Sequence, residues 1–373
     1  YFGLENEKNT VGNRIGSYVT NMDFSQGIKA NLNAPFRIIY SREARKKIRA
    51  VLDDFQPDVV HLNNIQYHLT PSIILEINKW RKETKKECKI VYTTHDYQLV
   101  CPSHGMFDVN MKPCERCLDG HYIHCFQTKC LKNSRAKSLL GTLDGYMWKY
   151  SKAYSYVDVY ICCSYFLKSK LDTQKRFRDK TIGLHNFKKE MPHLDNIQKK
   201  GYVLEFGHLS RDKGTDTLLE VAKKMPNTEF VFIGYGPSVD KMKDIPNVKY
   251  LGFKTGEELY RIIAEAAISV CPSEWYENCP YSVMESVLLG TPVVGSKMGG
   301  IPELIEPGKT GELFEAGNVE DLMKAIKKVL QTQDVLERYT KNCSQVKYET
   351  TESYYIKLMK IYRGEKNVEQ ISS

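Results

Sequence analysis

The sequence has no apolar run approaching the roughly 18 residues that cross a bilayer as a helix, and it opens on no charged, apolar and small-residue leader pattern. These absences exclude a helical membrane span and lead us to expect a cytoplasmic protein, soluble or peripheral on the inner face of the cell membrane. Disorder-prone sequence is scarce too, confined to the polar tail "GEKNVEQISS" at residues 364–373. The opening stretch "YFGLENEKNTVGNRIGSYVTNMDF" lacks a convincing buried strand and a Gly-rich phosphate turn, and it starts on Tyr. The expectation is therefore a fragment without the first strand and helix of an α/β domain.

What is present is enough for more than one core. At 373 residues, 42% hydrophobic and 27% charged, the chain is expected to form two globular domains. The net charge of +9 is uneven: residues 1–187 carry 29 Lys+Arg against 18 Asp+Glu, while residues 188–373 carry 25 against 27. Positive charge thus belongs to the first half, where Arg42, Arg45, Lys46 and Arg49 follow the spacing of one helix face. That face would suit an anionic membrane surface or an anionic acceptor, and a solvated helix surface is the plain alternative.

Short β-branched runs alternate with helical patterns from Phe55 onward. "PDVVHL", "CKIVYTTHD" and "VDVYICCS" read as strands of a first domain; "YVLEFG", "TEFVFIG", "NVKYLGF", "ISVCPS" and "TPVVGS" read as strands of a second. Strict alternation implies right-handed crossovers and parallel sheets covered on both faces, hence an α/β fold of two Rossmann-like doubly wound domains facing across a cleft. The expected boundaries are 1–184 for the first domain, with the join near "TIGLHNF", 185–350 for the second, and a helix in 351–373 packing back on the first. Ligands of such sheets bind beyond the carboxyl ends of the strands.

Eleven cysteines without a secretion signal are expected as thiols or metal ligands, not disulfides. Five crowd into the insertion 101–130. Cys114 and Cys117 have the CxxC spacing of a zinc site, and Cys125 and Cys130 would complete a closed, structural four-thiolate set. His121 and His124 are rival ligands, and reduced thiols in a loop are the alternative.

Two glutamates eight residues apart, Glu277 and Glu285, frame the stretch "SEWYENCPYSVMES". With 27 Glu in the chain, about two such pairs arise by chance, and Glu257/Glu265 and Glu312/Glu320 share the spacing. Context separates them. Pro280 suits the first position of a helix and Gly290 the position that ends it, so free N–H groups at the helix start form an anion site between the two carboxylates. Lys213-Gly214 in "EFGHLSRDKGTD" opens a second helix after a strand, where an ammonium reaches phosphate; Arg211 is a second candidate. A capped turn with no ligand is the alternative for both, as it is for Gly234 and Gly236 in "IGYGP".

The stretches "SEWYENCPYSVMESVLLGTPVVGSKMGGIPELI", "FGHLSRDKGTDTLLEVAKKM", "VFIGYGP" and "TTHDYQLVCP" together resemble glycosyltransferase family 4, the retaining nucleotide-sugar enzymes of GT-B fold. The insertion resembles a bacterial subgroup associated with surface polysaccharide assembly. The resemblance implies that Glu277 contacts donor-sugar hydroxyls and the oxocarbenium-like centre, Glu285 holds the ribose, and Lys213 binds the diphosphate. It implies that His95 approaches the donor sugar from the first domain. Asn278, Cys279, Tyr281 and Ser282 would offer backbone N–H groups to the phosphates, and Gly234 and Gly236 would line the nucleobase side. Where the family has Arg after Gly207, this sequence has His208, so one phosphate charge is lost unless Arg211 supplies it. The Asp-x-Asp triplet that binds metal in the other glycosyltransferase fold is absent, so no metal is expected in the chemistry. The expected partners are a nucleoside-diphosphate sugar and a glycan or lipid-linked acceptor. An epimerase of the same fold and a zinc-ribbon nucleic-acid binder are the competing readings, the latter without any RNA-binding signature.

Overall fold

The β-branched runs form two separate parallel sheets in a computed structural model that describes residues 1–21 and 34–365. The first domain contains α1 (Ala34–Ile39), α2 (Arg42–Phe55), β1 (Val59–Asn63), α3 (Ser72–Thr84), β2 (Lys89–Thr94), α4 (Ile123–Thr128) and α5 (Arg135–Tyr150). It continues through β3 (Val159–Cys162), α6 (Tyr165–Leu171), α7 (Lys175–Arg178) and β4 (Thr181–Gly183). The second begins with β5 (Val203–His208), α8 (Thr215–Lys224), β6 (Phe230–Tyr235), β7 (Val248–Tyr250), α9 (Gly256–Glu265) and β8 (Ile268–Cys271). It ends with α10 (Tyr281–Leu288), β9 (Val293–Ser296), β10 (Gly311–Phe314), α11 (Val319–Val329), α12 (Gln333–Cys343) and α13 (Thr351–Arg363).

The α/β reading holds, with two strands more than the sequence suggested. Residues 181–183, read as a join, are β4 on the edge of the first sheet, and β10 extends the second. The β10 segment GELF has no β-branched residue and β4 is three residues ending on Gly183, so neither pattern stands out. The first sheet runs β1-β2-β3-β4 in chain order, whereas the second runs β10-β9-β8-β5-β6-β7. In the second domain the chain therefore winds outward from β5 through β6 and β7, then returns to β8 on the other side. That reversal leaves a crevice beyond the carboxyl ends of β5 and β8.

Trp80, Trp148, Tyr160 and Phe177 are fully buried in the first domain, and Phe230, Phe232, Phe314 and Tyr339 in the second. Helix α13 returns to the first domain: Ile361 packs with Val91, Ile161 and Leu184, and the Tyr362 hydroxyl lies 2.6 Å from His61 Nδ1. In the opening stretch, Leu4 and Val19 form an isolated bridge, while residues 22–24 lie outside the described residues, as do residues 366–373 of the polar tail.

Candidate active site

The crevice at the chain reversal holds a cavity of about 340 Å³, bordered by Gly207 and His208 from β5, Lys213 and Ser273, and by Glu277 and Glu285. Gly214, at φ 78°, caps α8, and a Cβ there would lie 1.9 Å from the Pro272 carbonyl oxygen. The turn before α8 therefore abuts the end of β8, and this contact aims Lys213 into the crevice. Its Nζ donates to Glu277 Oε1 at 2.6 Å, and Ser273 Oγ donates to the same oxygen at 2.7 Å. The ammonium also sits 4.3 Å from the centroid of the Trp275 ring, a cation–π contact.

Pro280 is the N-cap of α10, one position earlier than expected, with ψ 121° holding it outside the helical turn. Gly290, at φ 73°, follows the helix end as the sequence suggested. Pro280, Tyr281 and Ser282 border the cavity, so the helix start faces it. Glu285 lies further along α10 and is ion-paired with Lys188, whose ammonium is 5.6 Å from the Tyr281 ring centroid. Sequence reasoning missed Lys188, one of two adjacent lysines in a linker whose side-chain directions no spacing reveals. It also missed Gly299 and Gly300. A Cβ on Gly299 would lie 1.9 Å from the Glu277 carbonyl oxygen, and Gly300 N–H donates to that oxygen at 2.7 Å. The glycine pair thus fixes the backbone of the glutamate loop.

The same loop faces the first domain across a second cavity of about 270 Å³, bordered by His95, Asp96, His104, Trp275, Glu277 and Asn278 among others. Asn278 Nδ2 donates to the His95 carbonyl at 2.8 Å, which ties the domains together beside Glu277. Asn278 Oδ1 is buried without a partner. His95 Nε2 lies 3.0 Å from Asn63 Oδ1, and the protein packed around its ring holds its pKa below the ordinary value, so the imidazole is neutral at pH 7. Glu277, Pro280 and Tyr281 border both cavities, and Glu277 is the one ionisable carboxylate among these three.

Other candidates fall elsewhere. Arg211 is exposed and does not border the crevice, so it does not replace the charge absent at His208, whose ring meets Tyr235 at the rim. Gly234 and Gly236 have a backbone reason to be glycine: a Cβ would lie 1.8 Å from the Gly207 oxygen and 2.1 Å from the Leu209 oxygen. The Cys279 thiol is buried against Met284, and burial pushes its pKa up to about 12. The rival glutamate pairs serve other ends, since Glu265 pairs with Lys200, and Glu312 accepts from Tyr339 and pairs with Lys328.

All eleven cysteines are free thiols. Cys117 and Cys125 are buried around Tyr122 with Cys130 packed on them, while Cys114 stands partly exposed outside this cluster. Among the described residues no three His, Cys, Asp or Glu side chains are grouped as a metal ion needs. His121 is engaged by Asp119 and His124 by Gln127. On α2, Arg45 pairs with Glu76, and Arg49 with Asp53 and Glu83, which internally neutralises half of the basic face. Among the described residues no helix is long and apolar enough to cross a membrane.

Residues 186–346 match the family model of glycosyl transferases group 1. Sulfoquinovosyl transferase SQD2 of Arabidopsis thaliana is 33% identical over 146 residues, 37% of this chain and 28% of that protein. The amylovoran biosynthesis glycosyltransferase AmsK of Erwinia amylovora is 30% identical over 166 residues, 40% of this chain and 41% of that protein. A 42.6 kDa protein in the cps region of Klebsiella pneumoniae is 24% identical over 275 residues, 71% of this chain and 64% of that one. The chain thus spans 28% to 64% of the length of these curated relatives. Sucrose-phosphate synthase from Thermosynechococcus elongatus superposes with a TM-score of 0.64 at 16% identity, covering 92% of this chain and 80% of that one. Anabaena HepE in complex with UDP gives 0.62 at 15%, covering 86% and 82%. Residues 186–346 thus carry the match to the group 1 glycosyl transferases, on a chain whose two domains adopt the GT-B fold.

Proposed function

We propose that this protein is a retaining glycosyltransferase of the family 4 type. It moves a sugar from a nucleoside-diphosphate sugar to a glycan or lipid-linked acceptor in the assembly of a bacterial cell-surface polysaccharide. The observation that carries the reading is the Lys213–Glu277 pair at the topological reversal of the second sheet, with Lys213 in the crevice and Glu277 bordering both cavities. The naming of two relatives for amylovoran biosynthesis and a cps region supports the polysaccharide role, and HepE bound to UDP supports a uridine donor.

In this reading the diphosphate lies between Lys213 and the start of α10, and the sugar extends past Glu277 into the cleft. The bond from the anomeric carbon to the phosphate oxygen breaks with its electron pair leaving on the diphosphate. Donor and acceptor hydroxyl give glycoside, nucleoside diphosphate and one proton. Lys213 and the amides of α10 stabilise the charge growing on the leaving group, electrostatic preorganisation that needs no divalent metal. Phosphate draws Lys213 from Glu277, and the freed carboxylate faces the cationic sugar carbon. Glu285 accepts the ribose hydroxyls, and His95, neutral, reaches the sugar from the other side.

Arg42 and Lys46, left outside the ion pairs of α2, would meet anionic lipid head groups. A structural zinc on Cys114, Cys117, Cys125 and Cys130 would require Cys114 to swing onto the other three. One zinc per purified chain is the expected content under that proposal, and thiols titrating freely without metal would end it.

The functional reading is tested by screening UDP- and GDP-sugars with glycan and lipid-linked acceptors. Acceptor-dependent release of nucleoside diphosphate, undiminished by chelator, is expected. An isomerised sugar nucleotide formed without acceptor would establish the epimerase instead.

A further inference from the structure

The insertion 101–130 has no part in the chemistry above, yet two of its side chains reach the loop that carries Glu277. Its tip is a tight reversal in which Cys114 N–H donates to the Met106 carbonyl at 2.7 Å and Asp108 N–H to the Lys112 carbonyl at 2.8 Å. Gly105 leaves space for the Phe107 ring, since a Cβ there would lie 2.0 Å from a ring carbon. That ring packs on Trp275 with centroids 6.1 Å apart, on the indole that also carries the Lys213 ammonium. Glu115, inside the "CERC" stretch, makes the second contact. Its Oε1 accepts from the Tyr276 hydroxyl at 3.0 Å and from Lys170 Nζ at 2.6 Å. Lys170 sits 4.6 Å from the Phe166 centroid, and Phe166 packs on Tyr276 at 4.7 Å. The two aromatic residues immediately before Glu277 are thus both gripped from the first domain.

We propose that Phe107 and Glu115 are positioning residues for sugar transfer: by clamping Trp275 and Tyr276, the insertion holds the Glu277 carboxylate in register with Lys213. The inference rests on the glycosyltransferase reading and deepens it. Aromatic packing and charge-assisted hydrogen bonds act only at contact distance. The clamp therefore exists only while the domains are closed, which couples closure to the geometry of the reacting groups. Phe107 and Glu115 border neither cavity, so they act on turnover and leave nucleotide affinity alone.

The test uses the full chain carrying Glu115→Ala, Tyr276→Phe, both together, Glu115→Gln, and Phe107→Ala. Glu115→Ala and Tyr276→Phe are each expected to lower kcat about tenfold with UDP affinity unchanged, and the double variant no further, because one contact is removed twice. Glu115→Gln keeps an oxygen acceptor for Tyr276 and should recover most of the rate. Wild-type kcat in Glu115→Ala, or losses that multiply in the double variant, would overturn the clamp. A second measurement needs no turnover. Trp80 and Trp148 are fully buried, so added acrylamide quenching of tryptophan fluorescence in Phe107→Ala reports on Trp275. Unchanged quenching overturns the clamp even in a chain that transfers no sugar. Increased quenching in Phe107→Ala, with a wild type that transfers sugar from no donor, overturns the enzyme reading and the clamp's catalytic role with it.

Discussion

The two sheets differ in one respect that decides where chemistry sits. The second reverses direction between β5 and β8, and its crevice gathers Lys213, Glu277 and Glu285 from the ends of neighbouring elements. Among the described residues the first sheet runs β1 to β4 without reversal, and it presents loops to the cleft: His95 after β2, and the insertion with Phe107 and Glu115. A site built on strand and helix ends is fixed by the sheet. One built on loops depends on contacts made across the domain boundary.

The sharpest way to break this contrast is to remove one group from each side. Lys213→Ala and Glu277→Ala are expected to lower kcat by at least about 10³, since in the proposed reaction each removes a charge facing the reacting bond in a preorganised site. His95→Ala, on the loop side, should cost about 10² or less. Release of nucleoside diphosphate measures both, with circular dichroism to show that the fold persists. A larger loss from His95→Ala than from Lys213→Ala would reverse the assignment of the two sides.

A smaller effect is expected where the second domain templates its own loop. Gly299 sits at φ 61° against the Glu277 carbonyl, so Gly299→Ala adds both left-handed strain and a backbone clash. The expected cost is about 2 kcal/mol or more of stability, with a clear fall in kcat. Gly201, at φ 72° with open space around its Cα, is the control: Gly201→Ala should cost about 1 kcal/mol and leave turnover intact. Equal losses of turnover from the two substitutions would show that Gly299 does not template the glutamate loop.

These expectations also mark how far the sequence could be read. The strand–helix alternation and the Glu277/Glu285 and Lys213-Gly214 motifs are local signals, visible because periodicity and caps are properties of neighbouring residues. Contacts between distant residues are not. Glu115 meets Tyr276 across 161 positions and Lys188 meets Glu285 across 97, and no spacing rule links them. Side-chain direction was equally hidden. Arg211, two residues before Lys213, points to solvent because the turn packed on Pro272 aims only the lysine inward. The CxxC spacing marks Cys114 and Cys117 as neighbours, but no spacing says that Cys117 and Cys125 are buried around Tyr122 while Cys114 stays partly exposed.

A last effect, read in stability, concerns Glu205, on β5 under the crevice, and it sharpens the contrast by probing the floor of the second domain alone. The side chain is 4% exposed; Oε1 accepts from the Thr215 hydroxyl at 2.7 Å and Oε2 has no partner. Burial, opposed by the Thr215 hydrogen bond and assisted by the nearby Asp216 charge, pushes its pKa up to about 8. Between its ordinary value and about 8 the folded chain therefore holds a proton that the unfolded chain has released. Stability contributed by the neutral acid is complete below the ordinary carboxyl range and is lost as pH rises through that window, by about 1.4 kcal/mol per pH unit at most. Glu205→Gln, neutral at every pH and still able to accept from Thr215, removes this slope. Urea unfolding at pH 5, 7 and 9 should show the variant gaining on the wild type as pH rises, and levelling off above about pH 8. Parallel curves for the two proteins would mean that Glu205 ionises freely, and that the floor of the crevice is wetter than its burial implies.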